Sequence, residues 1–374
     1  MWKDTCMQNI LRSLLYLYPM FYLGGVGLAF FLTLLLLCKR GKTIADKILA
    51  TWLFMVTLHL LLFYFRQAGL YPQLLAVDFP LPLVHGPFLF VYTLALTRGR
   101  VSKLSLLHFA PALAVLLYLI PFFLLSTEEK ISVFERNGEG YEVFLMIRTF
   151  ANLSSGVVYV ILANVVLRKH RISILDQFSS TEKINLQWLQ YLSYWIALIW
   201  IFVLFGPEEL IYASSVLFIL FIGFFGIRQT GIFHSQEATK VTDPKSEAET
   251  AEKKKYQKSG LSSDASESLH RDLRLLMVSE KPFRESELSL ADLAKRLNTQ
   301  PNYLSQVINE REGKNFYDYI NTLRIEEFKR LASHPDSKKY TLLGLAQECG
   351  FNSKSSFNRY FKKVTGKSPS EFLS

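Results

Sequence analysis

The chain has 374 residues, 50% of them hydrophobic and only 20% charged, with 30 Phe and a formal net charge of +10. That is too apolar for a soluble globule of this size. The average hides a split: Met1 to Ile227 carries 17 Lys+Arg and 12 Asp+Glu, while the shorter Arg228 to Ser374 carries 25 and 20. Nearly all long apolar runs fall in the first part, so the pattern predicts a membrane portion followed by a soluble, charged one. Three cysteines (Cys6, Cys38, Cys349) lie far apart, without CxxC or His/Cys ligand spacing, and imply neither a disulfide framework nor a zinc site. No metal and no cofactor is expected, and Cys349 is expected to fill a core position.

Seven apolar stretches follow in chain order: Tyr16–Cys38, Ile48–Phe65, Leu81–Thr97, Leu104–Leu125, Val143–Leu167, Ile184–Phe205 and Leu210–Ile227. Each is close to the roughly 20 residues that cross a hydrocarbon core as helix. The third is short and interrupted by Pro82 and Pro87. A cleavable signal peptide is not expected, because the first run is long and lacks a small-residue cleavage site. The loops set the orientation. Lys39, Arg40, Lys42, Lys47, Arg98, Arg100, Lys103, Arg168, Lys169, Arg171 and Lys183 gather on one side, while the other has Lys3, Arg12, Arg66, Lys130 and Arg136 among several glutamates. The positive-inside rule puts the N-terminus outside and everything after Ile227 in the cytoplasm.

Polar groups inside spans are costly and therefore candidate functional residues. On the fifth stretch Arg148, Asn152, Ser155 and Tyr159 fall within about 60° of one another at 100° per residue, a polar stripe facing the bundle interior. His59, Arg66 and His85 lie at a similar depth. One reading is an outward-facing pocket for a small, anionic or membrane-borne ligand. The other is that Arg148 snorkels to lipid headgroups and the histidines are satisfied by neighbours. No carboxylate sits at ligand spacing beside either histidine, and no HExxH, GxSxG or Gly-rich phosphate loop occurs, so no enzyme is expected.

Residues 235–263 are rich in Glu, Lys, Ser and Thr with almost no aliphatic side chains, which predicts a flexible tether with an r.m.s. span of roughly 30 Å. From about Ser266 the period turns helical, with Leu269, Leu273, Leu276 and Met277 on one stripe. Ser289 with Asp292 reads as an N-cap for Leu290–Leu297. A tight turn at Asn298-Thr299-Gln300 leads to a helix opening on Pro301. A long helix from about Asn315 to Ser333 connects this unit to a second one, Thr341–Glu348, the Gly350 turn, and a helix with Phe357, Tyr360, Phe361 and Val364 on one face. Helix, short turn and helix with a small polar open face is the helix-turn-helix pattern, here at about 290–310 and 341–364.

The residues Leu293-Ala294, Tyr303-Leu304-Ser305, Gly313, Phe316, Tyr319-Ile320, Leu323-Arg324-Ile325, Ala346, Gly350-Phe351, Phe357, Arg359, Phe361-Lys362-Lys363, Gly366, Pro369 and Phe372 stand in register over a little more than a quarter of the chain. This stretch, from about Leu269 to the end, resembles the DNA-binding domain of the AraC/XylS family of bacterial transcription regulators. The resemblance implies that the second helix of each unit reads bases in double-stranded DNA: Asn302, Ser305 and Gln306 in the first, Lys354, Ser355, Ser356 and Arg359 in the second. Arg359 suits a bidentate guanine contact and Asn302 or Gln306 an adenine contact. Ser353, at the helix N-terminus, Lys362 and Lys363 would sit on phosphates. Gln306 stands where many members have Arg, and Phe328 replaces a commonly small residue.

The expected architecture is all-α: a seven-helix transmembrane bundle over 1–234, the tether at 235–263, and a soluble all-α domain with two helix-turn-helix units over 264–374. The expected function is a one-component transcription regulator in the bacterial inner membrane, its partners DNA, membrane lipid, RNA polymerase, a sensed ligand and a second copy of itself. The alternative is a membrane transporter or enzyme carrying an appended regulatory domain.

Overall fold

The computed structural model describes residues 22–182, 184–229, 262–335 and 339–373. The start of the first apolar stretch, Lys183 and nearly all of the expected tether lie outside them. The described residues are helical, with one isolated backbone bridge, Phe178 to Ser289, and no named strand. They fall into two compact units: 22–168 with 186–229, and 169–182 and 184–185 with 262–335 and 339–373.

The first unit holds α1 (Tyr22–Cys38), α2 (Ile44–Gln67), α3 (Pro82–Arg98), α4 (Ala110–Tyr118), α5 (Ile120–Phe123), α6 (Thr127–Glu135), most of α7 (Glu142–Gln177), α8 (Gln187–Phe205) and α9 (Glu208–Gln229). Thr43 and Asp46 cap α2 reciprocally, and Lys39 Nζ donates to the buried Asp46 carboxylate at 3.0 Å. The core gathers Leu49, Trp52, Leu53, Leu89, Tyr92, Leu189, Leu192, Ile219 and Ile222. Gly86 on α3 lets α7 approach closely, since a Cβ there would stand 2.6 Å from the Tyr159 ring. Apolar side chains are equally abundant on the outside: Leu124, Phe150 and Phe205 are 82%, 72% and 85% exposed. A surface of that kind is unfavourable in water and favourable in lipid.

Three helices, α2, α7 and α8, are long and apolar enough to cross a membrane; Tyr22–Cys38, Lys103–Tyr118 and Leu210–Gly226 are apolar but shorter. The seven-stretch reading is thus matched at full length in three places among the described residues. The fourth stretch, expected as one helix over Leu104–Leu125, is instead a 3-10 turn (Lys103–Phe109) followed by α4 and α5. Pro111 and Pro121 sit in the first turns of the latter two pieces, where a missing N–H is tolerated but continuation from the preceding turn is not. The fifth differs in the other direction. It runs past Leu167 to Gln177, and its 36 residues measure ~54 Å against a hydrocarbon core of ~30 Å. Its last turns, Lys169 onward, belong to the second unit.

That unit contains α10 (Ser263–Ser279), α11 (Leu290–Arg296), α12 (Pro301–Glu312), α13 (Phe316–Ala332), α14 (Leu342–Glu348), α15 (Lys354–Thr365) and α16 (Pro369–Leu373). Two cores flank α13. One gathers Leu273, Met277, Leu293, Leu304 and Ile308 around Phe316 and Ile320; the other gathers Ala346, Cys349, Phe357 and Phe361 around Ile325 and Phe328. Cys349 fills a core position as expected, and burial first, with the Glu327 charge second, pushes its thiol up to about 12. Phe328 is fully buried with its ring centroid 4.6 Å from that of Phe357, so the bulk that departs from the family pattern is absorbed by packing. Val364, expected on the buried face of α15, is 37% exposed.

The joint between the cores is a buried cation. Arg324 on α13 is 1% exposed, and its five N–H groups each meet an oxygen. Nε donates to Phe283 O (2.6 Å), Nη1 to Ser179 O (3.3 Å) and Asn321 Oδ1 (3.2 Å), and Nη2 to Ser179 Oγ (3.0 Å) and Glu285 O (2.7 Å). None of the five acceptors is a carboxylate. Burial pushes the guanidinium down to about 10, which leaves it charged at neutral pH. Gly350 closes the same joint: its φ of +98° suits only glycine, and a Cβ would meet Phe283 O at 2.6 Å and Arg284 O at 2.8 Å.

Candidate DNA-binding surface

Each unit builds its second helix on a polar signal in the turn before it. Ser289 and Asp292 form a full capping box for α11, and Asn298 takes the left-handed conformation (φ +49°) that turns the chain toward Pro301 and α12. In the second unit Thr341 caps α14, and Ser353 caps α15 by accepting from the Ser356 N–H at 3.2 Å. Leu304, Val307 and Ile308 anchor α12, while Phe357, Tyr360 and Phe361 anchor α15, so the register of the opposite faces is fixed by packing.

On α12 Asn302 is exposed, and Ser305 and Gln306 are half-buried. Gln306 Nε2 donates to Glu310 Oε1 at 2.9 Å, and Asn309 Nδ2 donates to Ser305 Oγ at 3.4 Å. Glu310 therefore puts an acid beside the first set of expected readers, which weakens attraction to phosphate there. On α15 Lys354, Ser355, Arg359 and Lys362 are exposed and Ser356 is half-buried. Lys363, expected on a phosphate, holds Asp318 Oδ1 at 2.6 Å and lies over the Tyr360 ring. Ser353 Oγ, expected at a phosphate, donates to Glu182 Oε1 at 2.5 Å. The second reader is the more cationic, and two of its three expected phosphate-binding groups already hold a carboxylate. Spacing does not point to Glu182, Asp318 or Glu310, because nothing in their local sequence says which helix they face.

The residues expected to line a ligand pocket in the first unit are divided by the fold. His59 Nδ1 and His85 Nε2 lie 2.8 Å apart, and Trp52 Nε1 donates to His85 Nδ1 at 3.3 Å. With Nδ1 of His85 accepting, its Nε2 carries the hydrogen and donates to His59, so the histidines satisfy each other. Tyr159 Oη contacts His108 Nδ1 at 3.1 Å and donates to His108 O at 3.3 Å. Arg66 and Arg148 converge instead. Arg66 Nη2 is 3.1 Å from the buried Asp78 Oδ2, and the Arg148 guanidinium lies 3.8 Å from the ring centroid of the adjacent Phe79. Arg66 Nε, Arg148 Nε and Asn152 Oδ1 are buried without a hydrogen-bond partner. Asp78 was absent from the expected set. Among the described residues no group of His, Cys, Asp and Glu could hold a metal ion.

Comparison with known proteins bears on the second unit. A family model described as a helix-turn-helix domain matches residues 293–374, so the C-terminal region carries a helix-turn-helix domain. The HTH-type transcriptional regulator YtdP of Bacillus subtilis, itself described as uncharacterized, is 31% identical over 88 residues, 24% of this chain and 11% of that protein. The Msm operon regulatory protein of Streptococcus mutans is 30% identical over 87 residues, 23% of this chain and 30% of its own. The similarly uncharacterized regulator YijO of Escherichia coli is 34% identical over 87 residues, again 23% and 30%. The match thus spans less than a third of the length of each of these relatives. No solved structure matches this chain.

Proposed function

We propose that this chain is a membrane-anchored, one-component transcription regulator of the bacterial inner membrane. Its two helix-turn-helix units bind promoter DNA, and its seven-span bundle, N-terminus outside, senses a cue. The observation that carries the reading is the pairing of α12 and α15 on one rigid α13. A common connecting helix lets both second helices address successive major-groove segments about 34 Å apart. The exposed Arg359 and Lys354 supply base contacts and Lys362 a phosphate contact from α15, and Asn302 supplies the exposed amide on α12. Lipid-facing apolar surface on the first unit supports the anchor.

The same reading gives the bundle a ligand class. Arg66 and Arg148, with one shared neighbourhood at Asp78-Phe79, carry more positive charge than the single carboxylate offsets, and three buried polar atoms there have no partner. A small carboxylate- or phosphate-bearing molecule fits that chemistry.

The test is made on the full chain in lipid nanodiscs. Genome-wide mapping of bound DNA supplies a site, and binding of a labelled duplex of that site is compared with a random-sequence duplex as salt is raised. Preference for the mapped duplex and a steep fall of affinity with salt are expected. Equal binding of both duplexes would refute sequence-specific regulation. Loss of cue-dependent reporter output in Arg148→Ala, with DNA binding retained, is the expected result for the ligand site.

A further inference from the structure

Resting on the DNA-binding reading, the geometry points to a seam between the two helix-turn-helix units that takes residues 178–182 of this same chain as its partner, with Glu182 occupying a DNA phosphate seat. We propose that this contact is autoinhibitory: the Glu182 carboxylate must leave Ser353 before DNA can engage α15.

Residues 178–182 touch the lead-in to α11, the side of α13 and the lead-in to α15. Phe178 makes the isolated antiparallel bridge with Ser289, and the Ser179 N–H donates to Leu288 O at 3.1 Å, so the backbone pairs with the residues that lead into α11. Ser179 O accepts from Asn321 Nδ2 at 3.0 Å, and its carbonyl and hydroxyl take two of the five Arg324 bonds on α13. Asn352 Nδ2 donates to Ser180 Oγ at 3.0 Å, and Ser353 Oγ donates to Glu182 Oε1 at 2.5 Å. Leu175, one turn upstream on α7, packs against the second core. Ser179 is 1% exposed and Thr181 7%, so this is a seated segment.

The position of Glu182 gives the seat its meaning. Ser353 is the N-cap of α15, where unpaired backbone N–H groups and the helix dipole favour an anion. A DNA phosphate approaching α15 from its N-terminal end needs that hydroxyl, and the Glu182 carboxylate already holds it. Two anions cannot share one hydroxyl without repulsion, so each binds at the expense of the other. Ser179, held by backbone and by Arg324, is the anchor about which Glu182 comes and goes. Because residues 178–182 directly follow α7, whatever displaces the end of that helix changes the occupancy of the phosphate seat. This gives the bundle a route to the reader that does not pass through the expected tether at 235–263.

The experiment uses the full chain in nanodiscs, with a duplex of the mapped site and a random-sequence duplex of equal length. Glu182→Gln should tighten binding of the mapped duplex about tenfold, since it removes the competing charge and keeps the side-chain shape. Glu267→Gln, the same charge change at an exposed position on α10, should leave affinity within about twofold. Hydrogen exchange on the unaltered chain supplies a second reading: amides within 180–182 should exchange faster once the mapped duplex is bound. An affinity unchanged or lowered in Glu182→Gln, a rise matched by Glu267→Gln, or exchange that stays level or slows overturns the proposal. If the unaltered chain binds neither duplex, the DNA-binding reading itself fails; binding that Glu182→Gln leaves unchanged defeats only the autoinhibitory contact.

Discussion

Arg324→Lys isolates the joint between the two helix-turn-helix units. The guanidinium places five donors on five oxygens: Phe283 O, Glu285 O, Ser179 O, Ser179 Oγ and Asn321 Oδ1. Lysine keeps the charge but carries three N–H groups on one atom, so at least two of the five bonds are lost, even though Ser179 O keeps Asn321 Nδ2 and Glu285 O keeps the Leu288 N–H as donors. At ~1.5–3 kcal/mol for each lost hydrogen bond to a charged group, two lost bonds cost about 3–6 kcal/mol. That is a large part of the ~5–15 kcal/mol typical of a whole domain. At ~2–4 °C per kcal/mol for a unit of this size, the second unit should melt at least ~6 °C lower. The assay is limited proteolysis of the full chain in nanodiscs across a temperature series, with loss of fragments from 262–373 followed by mass spectrometry. A midpoint within about 2 °C of the unaltered chain would refute the reasoning, because it would mean that water or the lysine can satisfy all five oxygens.

Three further outcomes follow from the same unit. Gly350→Ala combines a φ of +98° with a Cβ 2.6 Å from a backbone oxygen and should cost at least ~1–2 kcal/mol, read as an earlier midpoint in the same proteolysis series. Glu327 is held far below its ordinary value of 4.5, first by the Arg330 hydrogen bond and then by those of Lys281 and Arg284, against the opposing pull of burial. Its folded value is depressed, so the stability it contributes is present above about pH 4.5 and declines as the pH falls below it. The gap in melting between the unaltered chain and Glu327→Gln should therefore be wide at pH 7 and shrink toward pH 3; a gap independent of pH contradicts this. Arg359→Ala should relax discrimination between the mapped and random duplexes by ~1–3 kcal/mol, whereas Lys362→Ala should weaken both about equally. Equal weakening by both substitutions in a competition titration would remove the assigned division between base and phosphate contacts.

The helix-turn-helix units were legible because their signals are local. The Ser289 and Asp292 capping box, Asn298 in the turn, Pro301 opening α12, and the apolar spacing of Phe357, Tyr360 and Phe361 each act within one or two turns, and all appear where spacing puts them. Helix ends in the apolar half were less legible. Hydropathy fixes how apolar a run is, yet Pro111 and Pro121 decide that Leu104–Leu125 is not one helix, and good helix formers carry α7 past its apolar portion to Gln177. Polarity and depth mark the expected pocket residues, and depth does not say which neighbours a side chain meets. His59 found His85, Tyr159 found His108, and only Arg66 and Arg148 were brought together with unpaired atoms nearby.

By itself, then, the sequence determined that this protein is helical, that its first part is rich in lipid-compatible surface, and that its last quarter is a helix-turn-helix domain, because composition, period and capping are short-range properties. The tertiary structure alone decided where the polar atoms of residues 178–182 go. Glu182 and Ser353 are 171 positions apart in the chain, and so is no local pattern able to pair them. The same holds for Ser179 and Arg324, whose contact exists because α13 and the end of α7 enclose one buried guanidinium that must find five acceptors or not be buried at all.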